Sequence, residues 1–193
     1  MQIIIRGKVT LMPPKARVTR DMIVDAGFAI AREQGIEQVN ARTVSERLGC
    51  STQPVMYHFK RIEDMKRAVY QRADEFHTAY ITEVREEQPL LGIGLNYIRF
   101  AKEEKHLFRL LFQTNGFAGK SLAELIEAPE LEPVMEAMGG ERGRETFRLL
   151  FLFVHGYASM LANNDLDDDE EAIAADLRRV FAGVTRRMKE EEP

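Results

Sequence analysis

The sequence lacks the features that define secreted, membrane-spanning and β-rich proteins. It contains one cysteine, Cys50, so no intramolecular disulfide can form. It has no run of about 18 apolar residues, and its apolar N-terminal stretch is too short for a signal peptide. Alternating β-branched runs are nearly absent, although 45% of the residues are apolar. We therefore expect an all-α, cytoplasmic protein with a sizeable core and no membrane contact.

Motifs of catalysis are missing as well. There is no glycine-rich phosphate loop, no His/Cys spacing typical of a metal site, and no Ser-His-acid set. The acidic run at 167–171 could suggest a metal, but we interpret it as the charged start of a helix. We expect neither an enzyme nor a metal or cofactor site, and the histidines are scattered at positions 58, 77, 106 and 155.

Charge is distributed unevenly along the chain. Residues 1–72 contain 13 Lys and Arg against 7 Asp and Glu, a net charge of +6. Residues 73–193 contain 14 against 24, a net charge of −10. A basic first third followed by an acidic remainder indicates a polyanionic partner at one end of the protein only.

The segment from Asn40 to Phe59 predicts two short helices joined by a tight turn. Asn40 is a good N-cap for the first helix. Gly49 suits the left-handed position that ends it, and Pro54 is tolerated in the first turn of the second helix, which Ser51 or Thr52 would cap. The apolar residues that would form a small shared core are Val44, Leu48, Val55 and Phe59.

The second of these helices leaves a polar, non-acidic surface. This pattern is typical of a helix-turn-helix, whose second helix enters the DNA major groove. The alternative is a solvated helix pair inside an ordinary helical protein. The polar residues at the exposed start and rim of the helix are Thr52, Gln53, Tyr57, His58 and Lys60.

The helix-turn-helix interpretation divides the chain into an N-terminal arm and two domains. Residues 1–14 would be an N-terminal extension or arm, expected to be disordered. Residues 15–62 would be the helix-turn-helix domain, with a first helix capped by Thr19 and running to about Gln34, where Gly35 stops it. Residues 63–193 would be a larger helical domain for effector binding and dimerisation. A long helix from Arg61 to about Glu86 would link it to the helix-turn-helix domain. Its last two helices would start near Glu141 and at the acidic run.

The order and spacing of residues in the first part resemble those of the TetR family of transcriptional repressors. The resemblance covers about residues 17–67. It departs from the family pattern at Met56, where an aromatic residue is usual, and at Ile62, where a lysine is common. The residues that carry it are Ile23, Ala26, Gly35, Arg42, Val44, the 48–51 and 53–55 segments, the 57–60 segment, Glu63 and Met65.

The resemblance implies a set of DNA-binding residues. Arg42 and Thr43 would approach the backbone or a base edge, and His58 and Lys60 would hold phosphates. Lys15 and Arg17 form a basic lead-in to the first helix. The residues that would face bases are Thr52, Gln53, Pro54 and Tyr57.

The resemblance further implies a homodimer through the two C-terminal helices, bound to a double-stranded palindromic operator and released by a small, largely apolar effector. A major-groove reader with few contacts per subunit also gains affinity by pairing across a two-fold axis. The alternative is a helical ligand-binding or interaction protein with a degenerate DNA-binding head. Candidate effector-lining residues, each of which could instead be simple core, are Tyr97, Phe100, Phe108, Phe112, Phe117, Phe147, Phe151, His155 and Met160.

Overall fold

The computed structural model describes residues 18–84, 88–114, 127, 132, 136, 140–164 and 169–190. Within these residues the chain is all-α, as predicted, and it contains no strand. A short 3-10 turn at Ile36–Gln38 joins the first two helices. The helices are α1 (Arg20–Gln34), α2 (Ala41–Arg47), α3 (Thr52–His58), α4 (Ile62–Thr82), α5 (Pro89–Glu103), α6 (Lys105–Phe112), α7 (Glu141–Asn164) and α8 (Glu170–Glu190).

Helix α1 begins and ends where its sequence signals predict. The hydroxyl oxygen of Thr19 accepts a hydrogen bond from the Met22 amide at 3.2 Å, which satisfies one of the free amides of the first turn. At the other end Gly35 has φ = 94°, a conformation that favours glycine, and its N–H donates to the Ala31 carbonyl. Both predicted boundaries are confirmed.

The helix-turn-helix segment is also confirmed. Asn40 Oδ1 accepts hydrogen bonds from the amides of Arg42 and Thr43 at 3.0 and 3.1 Å. Gly49 adopts φ = 64° in the turn, and Ser51 precedes α3 without a side-chain cap bond. The side chains of Val44, Val55 and Phe59 are buried, and Leu48 is half-buried against them.

Helix α4 connects this N-terminal head (residues 18–61) to the C-terminal body. Its Val69 is fully buried in the head, and its His77 is buried in the body. It ends at Thr82, before the predicted end at Glu86, which lies outside the described residues. The amide of Asn96 on α5 donates to the carbonyls of Ile81 and Glu83 at 3.3 and 3.1 Å, so a neighbouring helix satisfies the end of α4.

Helix α5 is central to the body, because it packs against α4, α6, α7 and α8. The head contacts the body through α1, which packs against α4 and α6. At this junction Arg32 Nε donates to both carboxylate oxygens of Glu104 at 3.0 and 2.8 Å, and Arg32 Nη2 donates to Oε1. The Arg32 guanidinium also lies 5.0 Å from the ring centroid of Phe76 on α4.

The two partners of this ion pair differ in exposure. The Glu104 side chain is 8% exposed, whereas that of Arg32 is 47% exposed. The carboxylate of Glu104 therefore depends on Arg32 for its hydrogen bonds. If the carboxylate were removed, water could hydrate the exposed guanidinium.

We expect Arg32→Ala to lower the free energy of unfolding by about 1–3 kcal/mol, because it strands a buried carboxylate. Glu104→Gln should cost less, and adding it to Arg32→Ala should recover part of the loss. Chemical denaturation monitored by circular dichroism would measure these changes.

The control is Arg47→Ala, which removes an exposed pair with Glu33 and should change stability little. Equal losses for Arg32→Ala and Arg47→Ala would show that the junction pair behaves as an ordinary surface pair.

Candidate nucleic-acid interface and effector site

Helix α3 is divided into a buried and an exposed face. Val55 and Phe59 anchor it at 0% and 3% exposure. Tyr57 is 73% exposed, the largest exposed fraction among the large hydrophobic residues of the described chain, and Thr52 and Gln53 are exposed beside it. The helix therefore presents hydrogen-bonding side chains outward while its apolar side fixes it to α1 and α2. This is the arrangement by which a recognition helix reads base edges.

Pro54 and His58 lie on the flank of α3 and are half-buried. Nε2 of His58 lies 3.1 Å from the Val18 carbonyl oxygen, which can only accept a hydrogen bond. Nε2 is thus the donor, and His58 ties α3 to Val18, two residues before the start of α1. A phosphate contact through His58 would have to come from Nδ1, and this assignment stays a prediction.

At the start of α2, Arg42 and Thr43 differ in how their polar groups are used. The Arg42 side chain is 84% exposed and donates from Nε to Glu46 at 2.8 Å. The Thr43 hydroxyl donates to the Gln38 carbonyl at 2.6 Å and accepts from the Asn40 amide at 3.2 Å. Arg42 can exchange an exposed carboxylate for a phosphate, whereas the Thr43 hydroxyl is already part of the helix cap.

Basic side chains follow the C-terminal end of α3. Lys60, Arg61 and Arg67 are exposed, and Lys66 lies 3.7 Å from Glu37. Ile62, which stands where the resemblance expects a lysine, is half-buried against the core. Arg61 lies 3.7 Å from Glu63, and the exposed basic side chains that directly follow α3 are those of Lys60 and Arg61. Lys15 and Arg17 lie outside the described residues.

The structure brings most of the predicted effector residues into one aromatic cluster. Tyr97 lies 5.7 Å from Phe108 and 5.4 Å from Phe112, between ring centroids. On α7, Phe147, Phe151 and His155 stack in succession, with interplanar angles of 22° and 16°.

Phe100 joins this cluster through His77, at 4.8 Å between ring centroids. The other two predicted lining residues are not among these ring contacts. Met160 is 44% exposed, and its role as a lining residue stays a prediction. Phe117 lies outside the described residues.

His77 belongs to the cluster, although it was not among the residues predicted to line the effector site. It is 7% exposed, and its Nε2 is buried without a hydrogen-bond partner among the residues that the structure describes. Rings of Tyr97, Phe100 and Phe112 lie within 5.5 Å of its own. The four-residue spacing from Val69 and Ala73 indicated a buried face, but no sequence signal showed that the imidazole would lack a partner.

Burial keeps the polar groups of this cluster neutral. It lowers the pKa of His77 to about 4, lowers that of His155 and raises that of Tyr97. Tyr97 Oη and His155 Nδ1 lie 2.9 Å apart and form a hydrogen bond. The cluster is thus an uncharged aromatic site with one internally paired polar couple and one unpaired imidazole nitrogen.

Other candidate sites are less suited to an apolar ligand. A surface cleft of about 230 Å³ between α1 and α4 is lined by charged side chains that include Asp25, Arg72 and Glu75. No group of three or more metal-ligating side chains occurs among the described residues, and Asp167 and Asp168 of the acidic run lie outside them. No helix in the described ranges is long and apolar enough to cross a membrane.

The geometry defines a class of protein: a helix-turn-helix head joined by a long helix to a larger helical body. Solved structures show the same architecture. A TetR-family transcriptional regulator from Streptomyces coelicolor superposes with a TM-score of 0.66 at 16% identity, covering 94% of this chain and 92% of that chain. A transcriptional regulator from Rhodococcus sp. Rha1 gives 0.56 at 18% identity, covering 86% and 97%.

A third structure is the multidrug binding protein EbrR in complex with ethidium. It gives a TM-score of 0.60 at 19% identity, covering 83% of this chain and 97% of that chain. No protein-family model matches the sequence, and no curated protein does. The chain therefore has the fold of TetR-family transcriptional regulators, which confirms the resemblance at the level of fold.

The buried neutral His77 generates a prediction about acid stability. Its pKa is lower in the folded protein than in the unfolded chain, so between pH 6.5 and about 4 the unfolded state binds more protons. The free energy of unfolding should therefore fall as pH falls through this window, with a contribution from His77 on the order of 1–3 kcal/mol. Denaturant titrations at several pH values would measure it.

His77→Phe should remove this part of the pH dependence, whereas His106→Gln, at a half-exposed position, should retain it. An unchanged pH profile in His77→Phe would contradict the assignment.

Proposed function

We propose that the protein is a sequence-specific DNA-binding transcriptional regulator that acts as a repressor. The observation that carries this proposal is the division of α3, whose apolar residues Val55 and Phe59 are buried while Thr52, Gln53 and Tyr57 face outward. An exposed face of this kind on the second helix of a helix-turn-helix fits the major groove. Gln can pair bidentately with adenine, and a hydroxyl can contact either a base or a phosphate.

Charge supports the same orientation. The exposed side chains of Lys60 and Arg61 directly follow α3, within the part of the chain that carries a net charge of +6. The acidic remainder, at −10, would be repelled from DNA. The head would therefore approach the duplex with α3 foremost.

We propose a homodimer formed through α7 and α8. Leu149, Leu152 and Met160 are 49%, 46% and 44% exposed, and they follow one side of α7 together with the exposed Gly156. Exposed apolar stripes of this kind mark association surfaces. A two-fold axis along this surface would present two recognition helices to the half-sites of a palindrome.

We propose the aromatic cluster as the binding site of a small, largely apolar effector. Its uncharged character suits an aromatic ligand with one group that hydrogen-bonds to Nε2 of His77. Phe108 and Phe112 of the cluster lie on α6, a helix that begins directly after Glu104. Glu104 accepts hydrogen bonds from Arg32 of the head. A ligand that displaced α6 would move this junction and change the spacing of the heads. That the similar protein EbrR was solved with ethidium agrees with an aromatic ligand.

A second candidate is a helical ligand-binding protein whose head reads no operator. The engagement of His58 and Thr43 in bonds within the protein favours it, as does the absence of a lysine at Ile62. The two functions differ in how binding to DNA depends on salt.

The proposed function is tested by titrating the protein on the DNA upstream of its own reading frame, or on duplexes selected from a random pool. Affinity should fall by roughly 0.9 log units per log unit of salt for each phosphate contacted. Gln53→Ala and Tyr57→Ala should each weaken binding by about 1–3 kcal/mol without changing thermal melting. Lys60→Ala should weaken all sequences alike and lower the salt slope by about one.

Phe59→Ala is the structural control, since loss of a buried ring should lower stability by about 3–5 kcal/mol. If random competitor DNA abolishes binding at every salt concentration, the second candidate is favoured.

The dimer is tested by Leu152→Asp. A carboxylate in the centre of the exposed stripe should dissociate the subunits, because a charge cannot be buried there without a partner. Sedimentation velocity should then show a monomer, and operator affinity should fall with it. Met22→Asp changes a residue of similar exposure, 41%, on α1 and should leave the dimer intact. A dimer that persists in Leu152→Asp would contradict this interface.

A further inference from the structure

Helix α3 exposes one large apolar residue that the fold does not use. Met56 is 42% exposed, although the neighbouring Val55 is completely buried. Successive residues of a helix turn by about 100°, so Met56 projects between Thr52 and Gln53 around the helix. It therefore occupies the middle of the face that is offered to DNA, between the hydrogen-bonding side chains of Thr52 and Gln53.

The chemistry of methionine limits what this residue can recognise. Its thioether carries no charge and donates no hydrogen bond, so it cannot hold a phosphate as lysine or arginine does. The C5-methyl group of thymine is the apolar feature of the major groove, and apolar side chains read it by contact. An unbranched, polarisable side chain with three rotatable bonds can adapt its shape to such a methyl group.

We infer that Met56 is a specificity-determining residue that contacts the C5-methyl group of one thymine in each operator half-site. Gln53 and Met56 are three residues apart, which is about 4.5 Å along the helix axis. This distance is slightly larger than the spacing of about 3.4 Å between successive base pairs. The thymine therefore lies at, or one base pair from, the position that Gln53 reads. This inference rests on the proposed function, because it requires that α3 enters the major groove.

The experiment replaces each thymine of a selected operator, one at a time, by deoxyuridine. This substitution removes the methyl group and leaves base pairing and hydrogen-bonding groups unchanged. For the full-length wild-type protein, deoxyuridine at one thymine of each half-site should lower the affinity about three- to fivefold. This is the loss expected when one buried methyl contact is removed. With Met56→Ala the same substitution should cause no further loss.

Two matched variants complete the design. Met22→Ala shortens a methionine of equal exposure on α1 and should keep the sensitivity to deoxyuridine. Gln53→Ala should alter base preference within one base pair of the sensitive thymine and should also keep that sensitivity. Thermal melting of Met56→Ala should match the wild type, because the side chain is exposed.

The outcomes separate this inference from the proposed function. If the wild type binds specifically but no thymine is sensitive, or if Met56→Ala is as sensitive as the wild type, Met56 does not read a methyl group and the inference is wrong. If the wild type binds no duplex specifically, the proposed function itself fails, and the inference fails with it.

Discussion

The close approach of α1 to α4 is the contact on which the rest of the head depends. It is made at Gly27, where a Cβ atom would lie 2.7 Å from a methyl carbon of Val69, so that a larger residue would require the Val69 side chain or one of the helices to move. Because α1 lies directly on α4, its other sides are free to support α2 and α3 and to reach α6. Helix α1 thus joins α3 to the rest of the head and carries Arg32, which pairs with Glu104 at the junction with the body.

Local features of the fold could be predicted from the sequence because the responsible groups lie close together in the chain. Thr19 and Asn40 cap helices whose free amides are two or three residues away. Gly35 and Gly49 adopt the positive φ values that favour glycine. The exposed and buried sides of α3 likewise follow from its own periodicity.

The contacts that sequence reasoning missed join distant parts of the chain. Arg32 and Glu104 are 72 residues apart, and His58 and Val18 are 40 apart. The end of α4 depends on Asn96 of another helix, so the periodicity of α4 alone extended it too far. The aromatic residues of the body could be listed in advance. The packing of α4 against α5 and α6 determines which rings meet. It also leaves one nitrogen of His77 without a partner among the described residues.

Asn96 and Tyr97 are adjacent on α5 but serve two different neighbours. The amide of Asn96 holds the last carbonyls of α4, while the ring of Tyr97 packs among the aromatics and bonds to His155 on α7. Since both side chains leave the same turn of one helix, any rotation of α5 about its axis shifts them together. Two consecutive residues of α5 therefore connect the end of α4 to the aromatic cluster, in addition to the direct ring contacts of His77.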